Sequence, residues 1–279
     1  MWKTKAVAGQ NAVDLKRFGR MGKIHSVFEH SFNLLISNRL IHVSAFTEYL
    51  SSFGIQIPVK LFEEIQPYIQ QGNIVKIIEN GFRIYSCYGV GTVEFSQLQI
   101  ISLNVLGQNS SMEHLKLLKN KLEKLRLADA LGLPLNKEEQ EIFYSLSSMP
   151  KTAASVDFKK SVSYLAGRGK GLTPSGDDIL TAYLSVLHWA GDQRAEALSS
   201  ALTHPLPSTT DVSKAYILEA AEGNVNSFIY QLFSDLENRR TAASIDEAIK
   251  KIRSIGHTSG NDLCFGLLLG AQAVINDKL

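Results

Sequence analysis

The sequence predicts an α+β protein, with a β-rich barrel- or sandwich-like domain over residues 1–108 and an all-helical bundle over 109–279. Three observations lead there. Asn80-Gly81 separates two short runs rich in β-branched and aromatic residues, a strong hairpin signal because both turn positions must accept positive φ. After residue 111 the apolar residues return every three or four positions instead of every two. Between the two patterns, residues 106–111 (LGQNSS) form a polar break suited to a linker.

In chain order, residues 1–14 (MWKTKAVAGQNAVD) lack a continuous apolar signal core, so no secretion signal is expected. Segments 24–28, 32–36 and 40–46 read as strands of a meander, with Asn38-Arg39 as a turn. Segments 76–79 and 82–85 flank Asn80-Gly81, and 93–95 and 98–105 continue the strand pattern. Several short strands separated by turn residues suit a small barrel or sandwich. Met112, Leu115, Leu118, Leu122 and Leu125 then mark a long amphipathic helix, and Phe158, Val162 and Leu165 a short one. Thr209, Thr210 and Ser213 read as the cap of a helix running to Glu222. Further helices carry Val225, Phe228, Ile229, Leu232, Phe233 and Leu236, then Ala242, Ile245, Ala248, Ile249 and Ile252. Pro134, Pro150, Pro205 and Pro207 fall between these segments, where a missing N–H does least harm.

At 279 residues, 44% of them hydrophobic, the chain can build an ample core. A net charge of +2 without a basic block gives no reason to expect nucleic acid or an acidic membrane. Cys87 and Cys264 are too few and too far apart for a disulfide framework, and suit the reducing cytoplasm. The longest uncharged apolar run, 263–275, falls short of the ~20 residues of a membrane span and reads as a core helix.

Residues 167–178 (GRGKGLTPSGDD) are too glycine-rich for a packed element, yet they lead into Ile179, Leu180, Tyr183, Leu184 and Leu187, one face of a buried helix. Ser175 reads as its N-cap, with Asp178 at the spacing of a capping box. The arrangement recurs at 256–262 (GHTSGND), ahead of Leu263, Leu267, Leu268, Ala271, Val274 and Ile275, and Ser259 to Asp262 repeats the spacing. Two plain helix caps would account for each separately. The recurrence of Thr, Ser, Gly and Asp together predicts one shared polar site at two helix starts.

The expected binding residues are Arg168, Gly169, Lys170, Gly171, Thr173, Ser175 and Gly176 on the first motif, and Thr258, Ser259, Gly260 and Asn261 on the second. Backbone N–H groups of such a loop, with Arg168 and Lys170, can surround a small anion. Solvated loop charges are the plain alternative for both basic residues. Gly171 after Gly169-Lys170 rules out the phosphate loop of ATPases, and Leu172 breaks a dinucleotide fingerprint. The expected catalytic residues are Asp177, Asp178, Asp262 and His257. Ionised carboxylates would repel a bare oxyanion, so either they accept from an NH2 group of the ligand, or they gather a divalent cation that takes the anion. The first reading needs no cofactor; the second makes Asp177, Asp178 and Asp262 metal ligands. Ser175 and Ser259 read as caps rather than nucleophiles, since no local base accompanies them. His257 could move a proton near neutral pH, with a structural role as its alternative. The other histidines have no zinc-like spacing.

The two motifs resemble the signatures of a bacterial family, formerly of unknown function, whose members form one subunit of oxamate carbamoyltransferase in anaerobic allantoin breakdown. Residues 209–223 and 22–28 (GKIHSVF) are weaker matches, and bring Thr210, His25 and Ser26 into the candidate set. The resemblance implies a cytoplasmic transferase subunit, partnered by other subunits in a hetero-oligomer. It would act on small anions, oxalurate and phosphate to oxamate and carbamoyl phosphate or the reverse. A non-catalytic scaffold or metabolite-binding subunit, and a metal-dependent hydrolase or lyase of a small amide, are the alternatives.

Overall fold

The computed structural model describes residues 1–12, 19–45, 48–108, 110–150 and 155–276, with the backbone alone at 155–157. Phe46, expected at the end of a strand, and Asn109, in the expected linker, lie outside them. Two units separate by their internal packing, Met1–Leu103 and Asn104–Leu279.

In the first unit the period-two burial pattern closes a barrel. Its strands are β1 (Trp2–Gly9), β2 (Met21–Val27), β3 (Ser31–Ile36), β4 (Arg39–Ala45), β5 (Gly54–Ile57), β6 (Ile74–Ile78), β7 (Gly81–Ser86) and β8 (Gly89–Ile101). They run around the wall in the order β1-β5-β4-β3-β2-β6-β7-β8, and a parallel β8–β1 pairing closes it. Closure leaves no sheet edge to aggregate. Along β7, Phe82 and Ile84 point inward and Arg83 and Tyr85 outward, as alternation requires. Phe32, Phe82 and Phe95 meet edge-on inside.

The Asn80-Gly81 hairpin forms, but shifted by one residue. Ile78 pairs with Gly81, leaving Glu79-Asn80 as the loop. Gly81 alone of the two takes positive φ, 146°, and a Cβ there would lie 2.0 Å from the Val93 carbonyl oxygen. The expected strands 93–95 and 98–105 merge into the long β8, which stops at Ile101 and leaves 102–105 outside it, and β1, β5 and the short helix α1 (Val59–Ile65) were not expected at all.

The second unit is helical: α2 (Met112–Glu123), α3 (Lys137–Ser147), α4 (Ser155–Leu165), α5 (Ser175–Trp189), α6 (Arg194–Thr203), α7 (Asp211–Ala221), α8 (Ser227–Glu237), α9 (Ala242–Arg253) and α10 (Ser259–Asn276). α5 and α10 are buried along almost their whole lengths and pack against each other at its centre. Glycines bring them close. A Cβ on Gly266 would lie 2.3 Å from the Ile179 carbonyl oxygen, and one on Gly270 2.9 Å from Val186 Cβ. Those contacts advance along both helices together, so α5 and α10 run parallel and their first turns lie side by side. The fully buried Arg194 guanidinium holds the far end, bonded to Asp192 at 2.7 Å and to the Ala273 carbonyl at 3.2 Å. Such a pair suits an apolar interior only because its donors find acceptors. No helix among the described residues is long and apolar enough to cross a membrane.

Candidate functional site

Two helix–turn–helix segments, α4 to α5 and α9 to α10, repeat one local design. A glycine with positive φ follows the first helix in each, Gly167 at 73° and Gly256 at 57°. A second glycine then presses the turn onto that helix. A Cβ on Gly176 would lie 1.9 Å from the Leu165 carbonyl oxygen, and one on Gly260 2.3 Å from that of Ile252. The Pro174 carbonyl accepts from the N–H groups of Asp177 and Asp178, as the Thr258 carbonyl accepts from Asn261 and Asp262. Both serines are therefore the first helical residues, not the caps that their spacing suggested. Pro174 occupies the cap position of α5 and offers no side-chain bond. Proline's fixed φ and free carbonyl start the helix by themselves.

The parallel packing of α5 and α10 then joins the turns. Thr173 Oγ1 and Ser259 Oγ are 3.0 Å apart. Both hydroxyls support the carboxylate of Asp178, and those of Ser175 and Thr258 lean toward Asp262. Neither Ser175 nor Thr258 makes a well-directed bond to Asp262 Oδ2, which lacks a partner among the described residues, as does Asp178 Oδ2. Asp262 Oδ1 accepts from the Gly132 N–H at 3.0 Å. Burial raises the Asp178 pKa well above the ordinary carboxylate value, and the charges of Asp262 and Asp177 add to it. Burial raises that of Asp262 as well, against the bonds from Gly132 and the two hydroxyls.

A family model for the oxamate carbamoyltransferase subunit AllH matches residues 165–271, from the end of α4 into α10, and so spans both turns. Over that stretch, somewhat more than a third of its length, the chain is similar to the AllH family. No solved structure matches it.

Asp177 takes no part in the carboxyl pair of Asp178 and Asp262. Its Oδ1 accepts from the Gly167 N–H at 2.8 Å, and its Oδ2 from Thr209 at 2.5 Å and Ser213 at 2.6 Å. These bonds tie the glycine loop and the start of α7 to α5. Among the described residues no three histidine, cysteine or acidic side chains gather so as to hold a metal ion. Thr210 caps α7 through the Ser213 N–H and donates to the Leu172 carbonyl. Asn261 accepts from Arg253 at 2.9 Å, and His257 is exposed in the turn.

The backbone N–H groups are largely spent. Those of Gly176, Asp177, Asp178, Gly260, Asn261 and Asp262 all donate to carbonyls of their own turns. The interior therefore offers acceptors and hydroxyls rather than the anion cradle that two helix starts suggest. Positive charge stands at the rim. Arg168 lies with its guanidinium 3.9 Å over the Tyr164 ring and donates to the Tyr164 carbonyl at 3.0 Å. It also reaches the wholly buried Glu139 at 3.4 Å, and remains half-exposed. Gly169, Lys170 and Gly171 are exposed, and a Cβ on Gly169, at φ 125°, would lie 2.5 Å from the Ser175 backbone nitrogen.

Gly132, Glu139 and Tyr164 are the site residues that sequence reasoning missed. An isolated glycine in a loop and an acid on an amphipathic helix carry no signal of their own. His25 and Ser26 belong to the barrel unit. There the Ser26 hydroxyl accepts from Asn33 at 2.9 Å and meets His25 Nδ1 at 3.2 Å, and Asn33 in turn meets His42 at 3.0 Å.

Proposed function

We propose that this chain serves an oxamate carbamoyltransferase as the subunit that grips a small amide or carbamoyl group between its two Ser-Gly-Asp turns. One observation carries the reading. Of three buried carboxylate oxygens without a partner among the described residues, Glu139 Oε2, Asp178 Oδ2 and Asp262 Oδ2, the last two lie at the paired turns with hydroxyls around them. A buried acceptor without a donor is costly, on the order of 1–3 kcal/mol, and a ligand N–H would relieve it. A primary amide brings two such donors, and its carbonyl can accept from Ser175, Thr258 or Ser259.

The oxyanion end of the ligand, a carboxylate or phosphate, would lie at the rim with Arg168 and Lys170, away from the repulsion of the pair. Tyr164 and Glu139 hold the Arg168 guanidinium in place. A site of this kind accelerates transfer between oxalurate and phosphate by orientation and by charge complementarity at the transferring carbonyl. It invokes no cofactor. The rest of the machinery would come from partner subunits in the cytoplasm. A purely structural role suits Asp177, whose three bonds knit the fold, and the binding role falls to Asp178 and Asp262.

The test is reconstitution with the products of neighbouring genes, assayed for carbamoyl phosphate formed from oxalurate, alongside calorimetry of oxamate on this chain. Asp178→Asn and Asp262→Asn should weaken binding and activity without loss of assembly. Full activity in both variants would overturn the reading.

A further inference from the structure

Transfer of a carbamoyl group from a ureido nitrogen leaves an amide nitrogen that cannot depart as a bare anion, so a proton must reach it. A carboxyl group kept protonated near neutral pH is suited to that task. The first turns of α5 and α10 hold two carboxyl groups deep inside the unit, each with one oxygen that has no partner among the described residues. The groups facing them are the hydroxyls of Thr173 and Ser259 on Asp178, those of Ser175 and Thr258 on Asp262, the Gly132 N–H, and the Asp177 carboxylate. Among the described residues neither Asp178 nor Asp262 has an ion pair, and Arg168 reaches Glu139 instead. Two carboxylates so placed cannot both ionise cheaply, and the repulsion falls on Asp178.

We infer that Asp178 and Asp262 share one proton and act as a single general acid toward the nitrogen that leaves the carbamoyl group. The inference rests on the proposed function, since it needs a carbamoyl donor in the site. An oxygen of hydrogen phosphate attacks the carbamoyl carbon, and a C–O bond forms. The C–N bond breaks, its electron pair stays on nitrogen, and the Asp178 proton moves there. The hydroxyl proton given up by the phosphate returns to the pair, so no net proton is consumed. In the reverse direction the pair acts as base.

Two measurements test it. In the reconstituted complex, Asp178→Asn and Asp262→Asn should each lower kcat on the ureido substrate roughly 100-fold or more. On p-nitrophenyl carbamate, whose leaving group departs without a proton, the same variants should raise KM, as loss of the grip on the carbamoyl group requires, but lower kcat by less than about ten-fold. Equal losses of kcat on both substrates would reduce the pair to a binding or structural role and overturn the inference. Should the variants not fold, carboxyl 13C NMR of the wild-type chain decides. Two aspartates titrating together, one of them well above the ordinary ~3.9, support the pair, whereas ordinary titration of every aspartate overturns it. Tight Mg2+ binding that displaces the proton would overturn it too. Failure of the wild-type chain to bind oxamate would instead sink the proposed function.

Discussion

Thr173 Oγ1 and Ser259 Oγ stand 3.0 Å apart across 86 residues of sequence. Only a parallel pairing of α5 and α10 can place them so, because an antiparallel pair would send the two turns to opposite ends of the bundle. The glycines at 266 and 270 let the helices approach closely enough for the hydroxyls to meet. Parallel neighbours also set two positive helix ends side by side. Acidic residues in both first turns offset that arrangement.

Adjacent aspartates should respond to substitution in opposite ways. Asp177→Ala removes the acceptor of three donors, two of them hydroxyls and one a backbone N–H, and should destabilise the helical unit by about 3 kcal/mol or more. Asp178→Asn exchanges a buried, poorly partnered carboxylate for a neutral amide, and should change stability by less than about 1 kcal/mol or raise it. Urea unfolding followed through Trp189, stacked on Phe233 at 4.3 Å, measures both.

The raised carboxyl pKa values also fix the sign of a pH effect in the helical unit. Between the ordinary 3.8 and the raised folded values, the native state binds more protons than the unfolded chain. Stability therefore falls as pH rises through that window, and the penalty is complete above it. Denaturation midpoints should fall from pH 5 to pH 7.5 despite His188, whose pKa burial lowers and which acts in the opposite direction; Asp178→Asn together with Asp262→Asn should remove the fall and leave only the opposite slope of His188.

The barrel should respond in the other direction. His42 carries a pKa lowered from 6.5 to about 4 by burial. Below 6.5 the unfolded chain takes up the proton first, so stability is lost as pH falls towards 4, by on the order of 3 kcal/mol at the acid end. His42→Asn should remove this loss. Trp2 in β1, read in a Trp189→Phe background, reports on the barrel alone.

Much of this was legible in the chain. Apolar spacing gave away most helices, since a helix that buries one face must repeat every three or four residues. The glycine motifs foretold two first turns of one design, because only glycine fits where each presses on a carbonyl. Closure of the barrel was not legible. β1 and β8 pair in parallel across some ninety residues, as Trp2 does with Val93, and no local pattern encodes such a pairing. The character of the site was half-hidden for a similar reason. The sequence suggests free N–H groups at both helix starts, whereas the Arg168, Pro174, Ile255 and Thr258 carbonyls occupy them through turn geometry.

Gly132→Ala should separate binding from folding. A Cβ there would stand 2.1 Å from Ser175 Oγ and 2.7 Å from Thr258 Oγ1. Both obstacles are hydroxyls on a rotatable bond, so they can turn aside for roughly 0.5–1.5 kcal/mol of strain each. The Gly132 N–H can still donate to Asp262 Oδ1. Gly176→Ala instead drives a Cβ to 1.9 Å from the Leu165 carbonyl oxygen, where only backbone could yield, and should unfold the turn. Calorimetry and thermal melting tell the two apart. Gly132→Ala should melt within a few degrees of wild type yet bind oxamate at least about ten-fold more weakly, because its methyl group and the displaced hydroxyls take the space beside Asp262. Unchanged binding in a folded Gly132→Ala protein would put the ligand somewhere other than this side of the carboxyl pair.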